Sequence, residues 1–434
     1  MHGGWPDREG HQALGQSRTA VTPPLLLYRG DTQFKTGLTL LDRSPKGIEG
    51  AKREIELQTG LGVALTATKG YAAFETGQVY ARARQLCEEI RDTTTLVRVG
   101  YGQYLYHLMA GEVRRSYQLA TETLDLAERT NDDNARVLGH RTLGVSLFEL
   151  GELAEARREL ELAANLVKAP RKVRHGVPVS ETRIMISTWL AYLLTFQGHL
   201  ADAVRMREIA LAEANASSAP HTLAFAMGFG CAISFLLRDD QDFLKRAQAF
   251  YSLADQQDLH FHKNIGLMYL GYGRMRLGDS HARSVFREGL SGYMNSGARW
   301  ALPSWLGWYV WALPDDDDER TTVLDQAFDA VEATQERWCL AELYRLRGDV
   351  ARFGRSANSE FAEENYKTGK RIAEEQGSML LNLRATKGLA ALWRDQGKRD
   401  GARELLAPVY GWFIEGFDTR DLKEAKALLD ELTS

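Results

Sequence analysis

RTLGVSLFELGELAEARRELELA, residues 141–163, decides the fold. It sets a large apolar residue, a small one, an apolar one, Gly, Ala and two further helix-face positions at fixed intervals: Leu143, Gly144, Leu147, Gly151, Ala156, Leu160 and Ala163. That spacing is the tetratricopeptide register, in which small residues let paired helices approach closely and Gly ends the first helix of each pair. The register returns at Leu190, Ala191, Leu194, Gly198, Ala203, Arg207 and Ala210, and again at Leu389, Ala390, Trp393, Gly397, Ala402, Leu406 and Val409. Three copies predict an all-α, tetratricopeptide-like right-handed α-solenoid. Such a stack buries its core between neighbouring hairpins and leaves a long curved surface, which suits binding better than reaction.

Outward from these copies, Gly111, Gly151, Gly198 and Gly278 mark turns spaced by about 40, 47 and 80 residues, the last interval holding two repeats. Each repeat therefore exceeds the usual length of roughly 34. Counting from about Ile55 gives eight to nine hairpins, with degenerate ones between Phe225 and Phe361. Residues 1–32 contain Gly3-Gly4-Trp5-Pro6 and Pro23-Pro24 without a helical period, and read as a disordered or poorly packed lead-in. Residues 33–417 read as the solenoid and 418–434 as a capping helix, with Leu422, Ala425, Leu428, Leu429 and Leu432 on one stripe. Lys168 to Ser180, with Pro170, Gly176, Pro178 and five basic residues counting His175, reads as a solvated loop.

Composition narrows the function classes. The 434 residues carry 54 basic and 58 acidic side chains, a formal charge of −4, which gives no global field for nucleic acid or an anionic membrane. No apolar run approaches the roughly 20 residues of a membrane span, and the first 30 residues lack a signal-peptide pattern, so a cytoplasmic location is expected. Cys87, Cys231 and Cys339 lie far apart in apolar helical contexts and read as buried thiols rather than a disulfide framework or metal site. The phosphate loop, the His-Glu-x-x-His pair, the dinucleotide glycine pattern and the Gly-x-Ser-x-Gly elbow are all missing. His260 and His262 stand two apart, on different helix faces, and Asp315 to Asp318 lack the spacing of a calcium loop. A chain with no catalytic, cofactor or metal residues is expected.

Candidate binding residues follow from the register. The first helix of each hairpin lines the concave side, which makes Arg141, Val145, Phe148, Tyr192, Arg384, Lys387 and Arg394 natural contacts. Arg384 and Lys387, three apart on one face, suit an acidic peptide or a phosphate, with plain solvation of that face as the alternative. Trp305, Trp308 and Trp311 recur at helical spacing, while Trp300 precedes Pro303. They read as core packing or, alternatively, as an aromatic ligand pocket.

Four stretches are familiar beyond the generic repeat: ALTATKGYAAFETGQVYARARQLC at 64–87, the stretch at 141–163, VEATQERWCLAELYRLRGD at 331–349, and LLAPVYGWFIEGFDTRDLKEAKALLDEL at 405–432. Together they resemble the C-terminal helical-repeat region of bacterial signalling proteins in which a class III adenylate or guanylate cyclase and an AAA-like or STAND-type ATPase precede the repeats. The resemblance covers nearly everything after residue 34 and implies a sensor or scaffold arm serving an ATPase switch and a cyclase. No catalytic residue of either domain has a counterpart, and residues 1–32 depart from the family. The expected function is a scaffold binding a protein partner, such as a separately encoded ATPase or cyclase, on its concave face. The alternatives are a small-ligand sensor of the STAND type or a remnant of a longer gene. No nucleic-acid or membrane partner is expected, and self-association stays open.

Overall fold

The computed structural model describes residues 23–41, 47–168, 179–217, 219–279, 281–355 and 357–434, and every regular element among them is an α-helix. After α1 (Pro23–Leu41), nine hairpins follow. The first four pair α2 (Ile48–Lys69) with α3 (Phe74–Glu89), α4 (Thr93–Met109) with α5 (Val113–Thr130), α6 (Asp133–Glu149) with α7 (Leu153–Lys168), and α8 (Val179–Phe196) with α9 (Leu200–Ala216). The next three pair α10 (Pro220–Leu236) with α11 (Asp240–Gln256), α12 (His260–Arg276) with α13 (Ala282–Asn295), and α14 (Leu302–Ala312) with α15 (Glu319–Thr334). Then come α16 (Leu340–Phe353) with α17 (Ser359–Gln376), α18 (Met379–Asp395) with α19 (Arg399–Gly411), and a closing helix, α20 (Arg420–Thr433). Nine is the upper end of the count expected from the sequence.

The expected boundary at residue 32 falls inside α1. Pro23 and Pro24 occupy its first turn, where a missing N–H leaves no bond unmade. Residues 1–22, and 169–178 of the expected basic loop, lie outside the described residues.

Helices α4, α6, α8, α12 and α18 end at the expected glycines. Gly111, Gly151, Gly198, Gly278 and Gly397 all have positive φ. The long interval from Gly198 to Gly278 contains its missing turn at Arg238, a non-glycine residue at φ 57° that stands forty residues from each. Asp239 beside it caps α11, accepting from the Asp242 N–H at 3.0 Å. The small residues of the 141–163 register are buried, and Gly144 in α6 takes Ala156 and Leu160 of α7 so closely that a Cβ there would lie 2.8 Å from Leu160.

Winding is tight enough that the coil touches itself. The stretch leading into α14 returns to the end of α4, where the Arg299 N–H donates to Met109 O at 2.8 Å. The lead-in of α16 meets the end of α6, Arg337 N–H to Glu149 O at 2.7 Å, and that of α18 meets the end of α8, Ser378 Oγ to Phe196 O at 3.0 Å. Asp421 on α20 closes on Arg238, after α10, at 2.8 Å. The contact pairs α4 with α14, α6 with α16, α8 with α18 and α10 with α20 step by five hairpins each time, so one superhelical turn takes five hairpins. The long open surface expected of a solenoid is therefore folded inward. Most buried apolar residues from Ala72 to Leu381 join one continuous core.

Candidate functional site

Two clusters occupy the inside of the coil. The first is an ionic clasp that contains the basic pair singled out from the register. Arg384 and Lys387 share one face of α18, as expected, but α20 lies across that face. Asp421 accepts from Arg384 Nε, from Lys387 Nζ and from Arg238 Nη1, each at 2.8 Å, and Glu424 takes Lys387 at 2.6 Å and Arg238 at 2.5 Å. Arg384 also donates to the Leu236 carbonyl, and Glu342 of α16 holds Arg345 at 2.9 Å. Three guanidinium groups, from Arg238, Arg345 and Arg384, lie 5.7, 4.8 and 4.9 Å from the ring of Trp311. The three cations around Asp421 hold its carboxyl well below the usual range against the opposing effect of burial. These charges answer one another within the chain. Arg394, near the end of α18, pairs with Asp395 and Glu431 at the surface.

The second cluster is a cavity of about 180 Å³ at the centre of the winding. Its walls come from successive inner helices: Tyr101 and Tyr104 on α4, Arg141 and Phe148 on α6, Trp189 and Tyr192 on α8, Phe225 and Phe229 on α10, His262 and Tyr269 on α12, and Trp305 and Trp308 on α14. Trp300 and Trp338, in the lead-ins of α14 and α16, complete it from the next turn of the coil. The rings meet mostly edge to face, as their quadrupoles favour: Trp189 and Phe229 have centroids 4.6 Å apart at 61°, and Tyr192 and Phe229 5.1 Å at 85°. Trp308 instead stacks on Phe235.

The structure thus merges two separate sets of sequence candidates. Arg141, Tyr192, Trp305 and Trp308 line one cavity, while Trp311, one turn further along α14, belongs to the clasp. Sequence reasoning singled out Trp300 with the tryptophans that follow it but missed Trp189, Phe229, Trp338 and Glu149. Trp189 is conspicuous as an isolated tryptophan in apolar helical text, the one signal that pointed to it, whereas Trp338 follows Glu336 and Arg337 and carries no such mark.

One wall is also a joint between coil turns. Glu149, at the end of α6, is fully buried, and its Oε1 accepts from the Trp300 indole N–H at 2.8 Å. Glu336, equally buried, accepts from the Ala301 N–H at 2.9 Å. Each keeps its second oxygen without a hydrogen bond in the protein. Burial pushes the Glu149 carboxyl up to about 8, with the Trp300 N–H pulling the other way. Glu336 is likewise held well above the usual carboxylate range, by burial and then by the neighbouring Glu149. The joint is held as protonated acids at neutral pH. His262 is moved down to about 3 by burial and then by His221, so it is a neutral imidazole.

The three cysteines are free and buried. Among the described residues no group of three or more His, Cys, Asp or Glu is placed to hold a metal ion, and no helix is long and apolar enough to cross a membrane. Asp315, Asp317 and Asp318 are engaged by Arg320, Arg283 and Arg355, which makes that acidic run a charged turn.

Fold and cavity define a class: a tetratricopeptide-like α-solenoid wound tightly around an aromatic interior. Among solved structures the chain is similar to a Rap protein complexed with Competence and Sporulation Factor, at TM-score 0.56 and 12% identity, over 87% of this chain and 99% of that one. It also matches the apo form of RapI, at 0.46 and 13% over 62% and 92% of the two chains. A third match is the STAND protein with a tetratricopeptide repeat sensor from Pyrococcus horikoshii, at 0.41 and 15%, covering 87% of this chain and 54% of that one. At such identities the likeness is one of fold. No family model matches the sequence, and no curated protein matches it.

Proposed function

We propose that the chain is a cytoplasmic, non-catalytic sensor arm that holds a small aromatic ligand inside its superhelix. The observation that supports this is the cavity, about 180 Å³ and lined by side chains from six inner helices and the lead-in of a seventh. An apolar cavity of roughly 150 Å³ is enough to take benzene, so this space suits one ring or a fused pair. A ligand there touches both turns of the coil, because Trp300 and Trp338 belong to the second turn and Tyr101, Phe148 and Trp189 to the first. Binding then tightens the winding, and the ligand is reported as a change in shape or stability.

Thermal unfolding and tryptophan emission of the full chain, titrated with indole and with toluene, test this. Mass action predicts a stabilisation of about 2.7 kcal/mol at a hundredfold excess over Kd. An unchanged midpoint and unchanged emission at millimolar concentrations of both would remove the reading.

A protein partner is the second reading. The Rap structure complexed with Competence and Sporulation Factor supports it for a solenoid of this fold. The inner-face cations Arg384 and Lys387 are already paired with Asp421, so they are not the contacts such a partner would use. A separately encoded signalling ATPase or nucleotide cyclase is the partner implied by the sequence resemblance. Co-purification with such an ATPase is the direct test, and no retention at micromolar concentration argues against it.

A further inference from the structure

Arg141 carries a charge that no described residue answers. Among the described residues five arginines are buried, and four of them bond a carboxylate: Arg207 with Glu208, Arg320 with Asp315, Arg345 with Glu342 and Arg384 with Asp421. Arg141, 7% exposed, is the fifth, and among the described residues no carboxylate oxygen lies within 4.0 Å of it. Its guanidinium instead rests 4.9 Å from the ring centre of Tyr101, its Nη1 lies 2.8 Å from Met185 Sδ, and its Nε has no partner. A guanidinium stays charged at any accessible pH, and burying one without a counter-ion is unfavourable. Arg141 is also the one buried arginine that lines the aromatic cavity. The acid nearest in function, Glu149, is already engaged by Trp300 and is held protonated, so it does not neutralise the site.

We propose that the cavity takes an aromatic carboxylate, one ring or a fused pair bearing a single acid group. Arg141 binds the carboxylate, and the ring packs among Trp189, Phe229, Trp300 and Trp305. This rests on the cavity being a ligand site, and it names the chemistry of the ligand. The guanidinium fork matches a carboxylate bidentately, and the unfavourable burial of its charge is relieved when the anion arrives. A neutral ring gains only the apolar contacts.

Calorimetric titration of the full chain with indole-3-acetate and 3-phenylpropionate, against their primary amides and against indole, tests the assignment. The acids are expected to bind at least tenfold more tightly than the amides. Arg141→Gln should bring the acids to the level of the amides, and Arg141→Lys should keep part of the preference. Acids and amides binding equally to the unaltered chain would overturn the anion site and leave the cavity reading intact. If acids, amides and indole all fail to bind, the cavity reading falls and the anion site falls with it. The acid-to-amide comparison needs no variant, so a folding defect in Arg141→Gln does not blunt the test.

Discussion

Glu149 and Glu336 make the fold's stability fall as pH rises through the neutral range. A carboxyl raised from 4.5 to about 8 binds its proton more tightly in the native state than in the unfolded one. Between those values the native state holds more protons, so stability is fully present below about 4.5 and lost as pH rises through 8. For Glu149 the whole effect is about 5 kcal/mol, at about 1.4 kcal/mol per pH unit for one proton. Between pH 7 and 8.5, where the Glu149 proton is already leaving, its share is about 1 kcal/mol, and Glu336, raised by burial and by Glu149, adds to the loss in the same direction.

That window isolates the pair. His262, depressed from 6.5 to about 3, contributes stability that is complete above pH 6.5, and the Cys87 thiol, raised from 9.0 to about 11, acts only above pH 9. Urea midpoints at pH 7, 7.5, 8 and 8.5 are the measurement. Glu149→Gln keeps an oxygen for the Trp300 N–H and removes the charge, so its slope should fall by about one proton, and it should exceed the parent in stability at pH 8.5. Glu149→Gln with Glu336→Gln should be flat. A parent whose stability is constant across the window, or variants that keep the full slope, would refute the buried acid pair.

Three further outcomes follow from the packing. Asp421→Asn should destabilise the chain by about 3–5 kcal/mol in urea, because it leaves Arg238, Arg384 and Lys387 without the carboxylate they share; a loss under 1 kcal/mol would make the clasp incidental. Gly198→Ala should cost about 2–4 kcal/mol, since its φ is +86° and a Cβ would sit 2.8 Å from Trp412, whereas Gly397→Ala, at φ +77° with nothing within 4 Å, should cost only about 1–2 kcal/mol; equal losses would deny the inter-turn contact. Trp300→Phe deletes the N–H that holds the Glu149 carboxyl down, so it should lower stability by about 1 kcal/mol and carry the pH-dependent loss to higher pH.

What the sequence disclosed was local. The 141–163 register specifies which helix pairs with which, because small and large residues at fixed spacing record contacts between neighbours in the chain. Contacts between coil turns join residues such as Glu149 and Trp300, 151 positions apart, and leave no periodic trace. Arg384 and Lys387 looked like an open cationic face because the register places them on the inner side, and nothing local announces that α20 returns to cover it. Trp300 was set apart from its neighbours by Pro303; it precedes the left-handed residue Ala301 at the start of α14, and its indole reaches Glu149 at the end of α6. The turn at Arg238 was hidden for a related reason: its left-handed backbone is occupied by arginine, whose side chain reaches Asp421 and Glu424, so the position serves the clasp as well as the turn.

The joint and the cavity are the same piece of structure, since Glu149, Trp300 and Trp338 belong to both. Proton and ligand must therefore be coupled, and the coupling is reciprocal. Below pH 8 the cavity presents Arg141 opposite a neutral Glu149, which favours a carboxylate ligand. Above pH 8 Glu149 ionises within the same enclosed space and opposes it, while a neutral amide meets no such penalty. Affinity for indole-3-acetate should accordingly fall by about tenfold per pH unit above 8, with indole-3-acetamide unchanged. The acid, once bound, should in turn raise the pH at which stability is lost. Titrations of acid and amide at pH 6.5, 8 and 9 decide the matter. Parallel behaviour of the two would separate the proton site from the ligand site and leave the closure of the coil independent of whatever the cavity holds.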